Sequence, residues 1–482
     1  MSQNEDTKPT TAGDKIPPEI WSMILEPLEA ELPAQSWARP VSQNHPQNTK
    51  VLASASGVSE ITHPVANQFL YRTLDLESLQ KPGVSTVSLL RAFADQPILG
   101  EYVQKLRINS SKLVATSNDD IKWDELFKSV EARIRAPGLK GEARQCLQMW
   151  LNTTRQNKDF SDIATPFVLL LPRLQVLECQ LKRWDPLVGC LKNCASLTEV
   201  RLKTTSETHP VNITEILPAL MHPTLKVVRL DGFGSDQEFG RNLRPNDSVE
   251  TVDLGDSYLN INGISGIFQL FPKIKNFSYE FGSPERMRHC NREHIKARKL
   301  GEKLREVGKN LESLTIDAVV LFQFPEIDNS TLGPLKDMKS LKRLCVCEAF
   351  FIKQGEGQDE AGAWNNAFPS QLESVHFLPK ARIIGGTFPP WTDVGLLSHV
   401  AEYLLNNEER FESLKKVSVE LHSSKAQLRH GSGEVIDDWF GDWKIERREE
   451  WVSMVPSFFY GGEFKPTIIE FTRSGKVPSS TG

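Results

Sequence analysis

A short pattern, apolar–x–x–apolar–x–apolar, recurs down this chain and limits its fold more than any other feature. It reads "VQKLRI" from Val103, "LQVLEC" from Leu174, "LTEVRL" from Leu197, "LKVVRL" from Leu225, "VETVDL" from Val249 and "IKNFSY" from Ile274. Further copies are "LESLTI" from Leu311, "LKRLCV" from Leu341, "LESVHF" from Leu372 and "LKKVSV" from Leu414. In each, the last two apolar residues stand two apart, and the residue between them is usually charged or polar. Side chains alternate across a strand, so each copy predicts a short strand with one buried face.

From Leu174 onward the copies start 23 to 42 positions apart. The shorter intervals hold one strand plus one helix or loop, the length of a leucine-rich repeat. Helical segments precede several strands: "PLVGCLKNCAS" before Leu197, "TEILPALMHPT" before Leu225 and "GISGIFQLFPK" before Ile274. Units this small bury their apolar face only by stacking. The expected architecture is therefore α/β: an irregular leucine-rich-repeat solenoid of parallel strands plus helices. The turn Asn or Cys of regular repeats is mostly absent. An ordinary α/β domain with parallel strands is the alternative.

With 482 residues the chain exceeds one ordinary core. A formal net charge of −5 provides no overall footprint for nucleic acid. The best candidate apolar run, "FVLLL", is closed by Pro172 and is far too short to span a membrane. The polar start, "MSQNEDTKPTTAGDK", does not read as a secretory signal. Seven scattered cysteines fit a reducing compartment, cytoplasmic or nuclear, better than a disulfide framework. Residues 1–15 and 474–482 have too little apolar content to order themselves and are expected to be disordered.

The first folded stretch is "IPPEIWSMILEPL" (Ile16 to Leu28). Pro17 and Pro18 suit a helix start, and Glu19 complements the helix dipole. Ile20, Ile24 and Leu28 lie on one face beside Trp21, Met23 and Leu25. Pro27 ends or kinks the helix. After a gap comes "VLASASGVSEITHPVANQFLYRTLDL" (Val51 to Leu76). Together these two stretches resemble the N-terminal F-box of fungal F-box proteins, which leads into leucine-rich repeats. The resemblance covers residues 16–76 closely and the repeats, over 77–473, in architecture only. It implies a small all-α F-box-like module that docks on a Skp-type adaptor and through it joins a cullin–RING ubiquitin ligase. Carried over by position, Pro17, Pro18, Ile20, Trp21, Ile24, Leu25 and Leu28 supply the adaptor-binding face. Glu29 to Lys50 departs from the family pattern, with Pro33, Pro40 and Pro46 where a short loop and a Leu-rich second helix usually stand. The helix from Val51 contains Gly57, which weakens it.

Motifs with catalytic or metal-binding chemistry are missing from the sequence. Cys190 with Cys194, and Cys345 with Cys347, lack a second pair at zinc spacing, and the histidines of "HCNREH" are five apart. "GEGQDEAG" (Gly355 to Gly362) lacks the Lys-Ser/Thr of a phosphate loop. No G-x-S-x-G, kinase set or H-E-x-x-H occurs. The segment Arg286 to Asn310 carries nine Lys or Arg against three Glu. It reads as a solvated helix face, or as an attraction for an acidic partner through Arg292, Lys296 and Lys299. "DDWFGDWKIERREEW" (Asp437 to Trp451) reads as a cap over the last strand's open edge, or as an aromatic hot spot.

The expected function is non-catalytic, with no cofactor and no metal. The solenoid would bind a protein substrate, and the module would present it to the ligase. Substrate contacts are expected from residues between the apolar pairs, including Arg201, Arg229, Asp253 and Thr315. The competing expectation is a leucine-rich-repeat binding scaffold with a degenerate F-box and no ubiquitin role.

Overall fold

The computed structural model describes residues 17–28, 45–58, 62–77, 82–110, 121–137, 141–158, 162–181, 185–205, 210–235, 243–282, 296–317, 331–347, 367–378, 409–421, 439–440, 443–449 and 467–473, together with single positions between them. The chain forms two compact units, residues 1–205 with 215–225, and residues 206–214 with 226–482. Both expected disordered ends lie outside the described residues, as do "HCNREH" and "GEGQDEAG".

The first unit opens with α1 (Pro18–Leu25), which runs into a 3-10 turn at Glu26–Leu28, then α2 (His45–Ser56) and α3 (Thr62–Arg72). It continues with β1 (Thr73–Asp75), α4 (Pro82–Asp95), α5 (Pro97–Tyr102), β2 (Lys105–Asn109), α6 (Trp123–Arg135) and α7 (Gly141–Asn157). After these come α8 (Ala164–Leu170), β3 (Val176–Leu181), α9 (Asp185–Leu191), β4 (Glu199–Thr204) and α10 (Leu217–Leu220). Strands β1 to β4 lie side by side, all parallel, with Leu74, Leu106, Leu177 and Val200 in one register row. Behind them, Phe93 of α4 meets Phe167 of α8 edge-on at 6.1 Å. Gly100 of α5 lets the backbone approach α8, since a Cβ there would lie 2.3 Å from the Leu170 carbonyl oxygen.

The start of α1 follows proline chemistry: Pro17 is the cap residue, Pro18 the first helical residue, and Glu19 lies in the first turn. Two sequence expectations change in α2. The helix begins at His45 rather than Val51, because Pro46 sits in its first turn, where a missing N–H costs no helical bond. Gly57 does not weaken the helix from inside. It follows the last helical residue, its N–H bonded to the Ser54 carbonyl at 3.0 Å.

The second unit holds β5 (Val211–Asn212), β6 (Val227–Asp231), β7 (Phe233–Ser235), β8 (Thr251–Leu259), α11 (Ile261–Leu270), β9 (Asn276–Phe281), α12 (Ala297–Val307) and β10 (Ser313–Asp317). Next come β11 (Arg343–Cys347), β12 (Ser374–Leu378), β13 (Lys416–Leu421), β14 (Trp439–Phe440), β15 (Trp443–Glu449) and β16 (Thr467–Arg473). Strands β6, β8, β9, β10, β11, β12 and β13 pair in that order, all parallel. Val228, Val252, Phe277, Leu314, Leu344, Val375 and Val417 form one register row. The direction then reverses: β16 pairs antiparallel with β13, and β15 with β16. Strand β16 thus covers the last parallel edge, and the tryptophan-rich segment supplies β15 on the far side of β16, where Trp443 is 1% exposed, so that segment does not cap β13 directly. The side chain of Asn260 caps α11 by accepting the Gly263 N–H at 2.9 Å.

Every copy of the apolar pattern is a strand. The first apolar residue of each copy from Leu174 to Leu414 is at most 2% exposed, so it anchors the turn entering its strand. Each buried leucine contributes about 1.5–3 kcal/mol. Just after these anchors, Lys226, Glu250, Lys275, Glu312, Lys342, Glu373 and Lys415 are joined by successive backbone N–H to carbonyl bonds of 2.7 to 2.9 Å. Their side chains alternate in sign across the sheet, pairing Lys275 with Glu250 at 3.2 Å, Lys342 with Glu312 at 3.6 Å and Lys415 with Glu373 at 3.2 Å. Among the described residues no helix is long and apolar enough to cross a membrane.

Candidate functional site

The first candidate surface is the helical segment ending at Arg72. Leu25, Leu52, Val65, Ala66 and Phe69 form its small core, with Trp21, Ala55 and Leu70 packed against it. Helical geometry divides α1 into two stripes. Trp21 and Leu25, four apart, face this core, and Leu25 is only 3% exposed. Ile20 and Ile24, shifted by one position and hence by about 100°, face outward at 45% and 50% exposure, with Met23 at 68%. Pro17 and Pro18 are exposed beside them. The described residues assigned to an adaptor face by position thus fall on two different sides of one helix. The Leu28 backbone lies in the 3-10 turn, and its side chain is outside the described residues. Val51 of α2 and Val58 after it add exposed apolar surface at 50% and 59%.

The end of α2 and the start of α3 carry a Ser–His–Asn cluster that linear spacing did not reveal. Ser56 Oγ lies 3.0 Å from His63 Nδ1 and donates to Asn67 Oδ1 at 3.0 Å. His63 Nδ1 is 2.9 Å from the Ser56 carbonyl oxygen, which only a protonated nitrogen can satisfy. Asn67 Nδ2 then donates to His63 Nε2 at 3.0 Å. Neither ring nitrogen is left to take the Ser56 proton, so the arrangement ties two helices together and does not activate a nucleophile. Its signal was the pairing of a helix-ending serine with a helix-starting histidine, which only tertiary contact makes visible.

The second candidate surface is the strand face bearing the residues between the apolar pairs. In the first unit these residues form a closed ion ladder. Asp75, Arg107, Glu178 and Arg201 occupy one register row on β1, β2, β3 and β4. Arg107 lies 3.5 Å from Asp75 and 2.9 Å from Glu178, and the turn after β1 brings Glu77 to 3.7 Å. Arg201 lies 3.2 Å from Glu178 and 2.6 Å from Glu199. Arg107 and Glu178 are 5% and 3% exposed. Burial raises the Glu178 carboxyl above its ordinary range, opposed by the two arginines. The Arg201 side chain is 11% exposed, so it is committed to this ladder where the sequence suggested an outward contact.

In the second unit the corresponding face is more open. Arg229 pairs with Asp253 at 3.4 Å, with side chains 31% and 36% exposed. Thr315 lies in the same register row as Asp253 and is half-buried. Towards the strand ends the face turns acidic. Glu280 is half-buried by surface area yet closely surrounded, and its carboxyl is pushed well above the ordinary range, first by burial and then by repulsion from Asp317, Asp231, Asp256 and Asp253. Beside it Asp256 has φ 40° and its carboxylate accepts the Tyr258 hydroxyl at 2.9 Å, next to a register shift between β8 and β9.

The described part of the basic segment, from Lys296, holds α12. Ala297, Leu300, Gly301 and Leu304 face inward, and Gly301 sits where a Cβ would lie 1.8 Å from the Leu332 carbonyl oxygen. Arg298 pairs with Glu302 at 3.1 Å and Lys303 with Glu306 at 2.7 Å. Arg305 donates to the Leu332 carbonyl at 2.8 Å. Lys296 and Lys299 are exposed, and Arg292 lies outside the described residues. Much of this helix's charge is therefore spent locally, as a solvated face requires.

Among the described residues no group of three His, Cys, Asp or Glu side chains is arranged to hold a metal ion. Among the described residues the two candidate surfaces are an open apolar helix side and a polar strand face. Searched against protein-family models and curated protein sequences, the chain finds no match in either.

Proposed function

We propose that this protein is a non-catalytic substrate-recognition adaptor of a Skp–cullin–F-box ubiquitin ligase. In this reading α1, α2 and α3 are the F-box-like module, and the stacked strands with their helices are an irregular leucine-rich-repeat solenoid. The module binds a Skp-type adaptor, and the more open strand face around Arg229 and Asp253 binds a protein substrate. The mechanism is proximity: the ligase holds the substrate near a transfer centre on other subunits.

The observation that carries the reading is the outward side of α1. The helix fills its own core with Trp21 and Leu25, and still exposes Ile20, Met23 and Ile24 at 45%, 68% and 50% beside a proline-led start. An apolar side that the module does not need for its own packing is the kind that another chain covers. The resemblance of "IPPEIWSMILEPL" and "LYRTLDL" to fungal F-box sequences supplies the identity of that chain. The parallel, in-register strands support the repeat reading.

The test is binding of the purified full-length chain to a Skp-type adaptor by calorimetry. Wild type is expected to associate, and Ile20→Asp/Ile24→Asp to weaken binding tenfold or more, equivalent to about 1.4 kcal/mol. Both residues are exposed, so helix content should not change. Absence of association at micromolar wild-type protein would sink the ligase role and leave the scaffold reading, in which residues 16–76 serve only as an N-terminal cap.

A further inference from the structure

Three cysteines of the first unit gather where α9 packs on α7. Cys146 lies on α7, Cys190 on α9, and Cys194 in the turn that follows. They are not equivalent. Cys194 is fully enclosed and its Sγ donates to the Val168 carbonyl at 3.6 Å, while burial pushes its thiol up to about 12. Cys190 is 1% exposed, and its thiol makes a side-chain hydrogen bond with Cys146 across the helix pair. Cys146 is partly exposed, so a small oxidant reaches it from solvent. On the same helix pair Lys192 bridges to Glu142 at 3.0 Å and lies close enough to interact with both thiols.

We propose that Cys146 and Cys190 are a peroxide-responsive dithiol that closes into a reversible disulfide joining α7 to α9. The Cys146 thiolate attacks one oxygen of the peroxide, the O–O bond breaks, and with one proton taken up the products are a Cys146 sulfenic acid and water. The Cys190 sulfur then attacks the sulfenyl sulfur, forming the S–S bond and releasing the hydroxyl as a second water. The two thiols lose two electrons and two protons, and hydrogen peroxide is reduced to two waters. The order follows from access: Cys190 is 1% exposed and Cys146 is partly exposed, so the oxidant meets Cys146 first. Cys194 takes no part because its thiol is committed to the Val168 carbonyl.

The test uses the full-length chain, treated with hydrogen peroxide, alkylated without reduction and digested for peptide mass mapping. A Cys146–Cys190 cross-linked peptide is expected, lost on dithiothreitol treatment and still formed in Cys194→Ser. Accumulation of Cys146 as sulfinic acid without a cross-link would overturn the proposal. So would a bond between Cys190 and Cys194, or loss of the cross-link in Cys194→Ser. Mapping of the wild type alone detects the sulfinic acid and the Cys190–Cys194 bond, so the proposal can be overturned without any variant folding.

Discussion

The two units solve the same problem, neighbouring parallel strands carrying charges, in opposite ways. In the first, Asp75, Arg107, Glu178 and Arg201 alternate along a buried row, with Arg107 at 5% exposure. In the second, Lys226, Glu250, Lys275, Glu312, Lys342, Glu373 and Lys415 alternate along a row open to solvent, where the Lys275 and Glu250 side chains are 45% and 47% exposed. Alternation is common to both; the energy is not. Exposed pairs are each worth about 0–1 kcal/mol and act mainly by penalising a wrong neighbour, since a shifted strand order would set like charges side by side. A buried ladder adds little net stability while complete, yet losing one member strands the others away from water.

The largest expected effect lies in the buried row. Arg107→Ala leaves Asp75, Glu77 and Glu178 facing one another without their central cation, and should cost about 3–5 kcal/mol of the first unit's stability in urea unfolding. A loss below about 1 kcal/mol would place this ladder with the exposed kind.

An intermediate effect concerns pH. The Glu280 carboxyl is raised, so the folded second unit holds its proton more tightly than the unfolded chain does. Stability from this group is present at low pH. It is lost as pH rises from the ordinary carboxylate value of about 4.3 through the higher folded value. Glu280→Gln should therefore raise the unfolding temperature at neutral pH and flatten its decline above pH ~4.3, compared with wild type in parallel melts. Melting curves that shift equally for both proteins across the pH range would argue against a strained carboxylate.

The smallest effect is expected in the exposed row. Glu312→Lys places a lysine between Lys275 and Lys342, at a cost of roughly 1 kcal/mol at low ionic strength. Added salt should erase most of that cost, because screening acts within about 10 Å at 0.1 M. A penalty indifferent to salt would mean that Glu312 is held by packing and not by charge.

The strands were legible because an apolar pair spaced by two recurs at the end of each copy, and the pattern fell on strands from Lys105–Asn109 to Lys416–Leu421. The helices before Leu197, Leu225 and Ile274 were legible through apolar residues at helical spacing. The start of α2 was not, since Pro46 reads equally as a breaker or as a first-turn residue until its neighbours are placed. Nor was the buried ladder. "VQKLRI" marks Arg107 only as polar, and its partners Asp75 and Glu178 stand 32 and 71 positions away. Register, which no local window contains, brings them together. The same limit applies to α1, where residue types announced an amphipathic helix but not that Trp21 and Leu25 would turn inward while Ile20 and Ile24 turned out.

The antiparallel pairing of β16 with β13 has a consequence for the protein's manufacture. A ribosome delivers β13 well before Thr467–Arg473, so the growing sheet carries an unpaired border until its final strand emerges. A message cut short between those two strands would yield a chain with that border permanently bare, ready to recruit a strand from any neighbour. The last residues to be made in the sheet are thus the ones that decide whether the rest stays single.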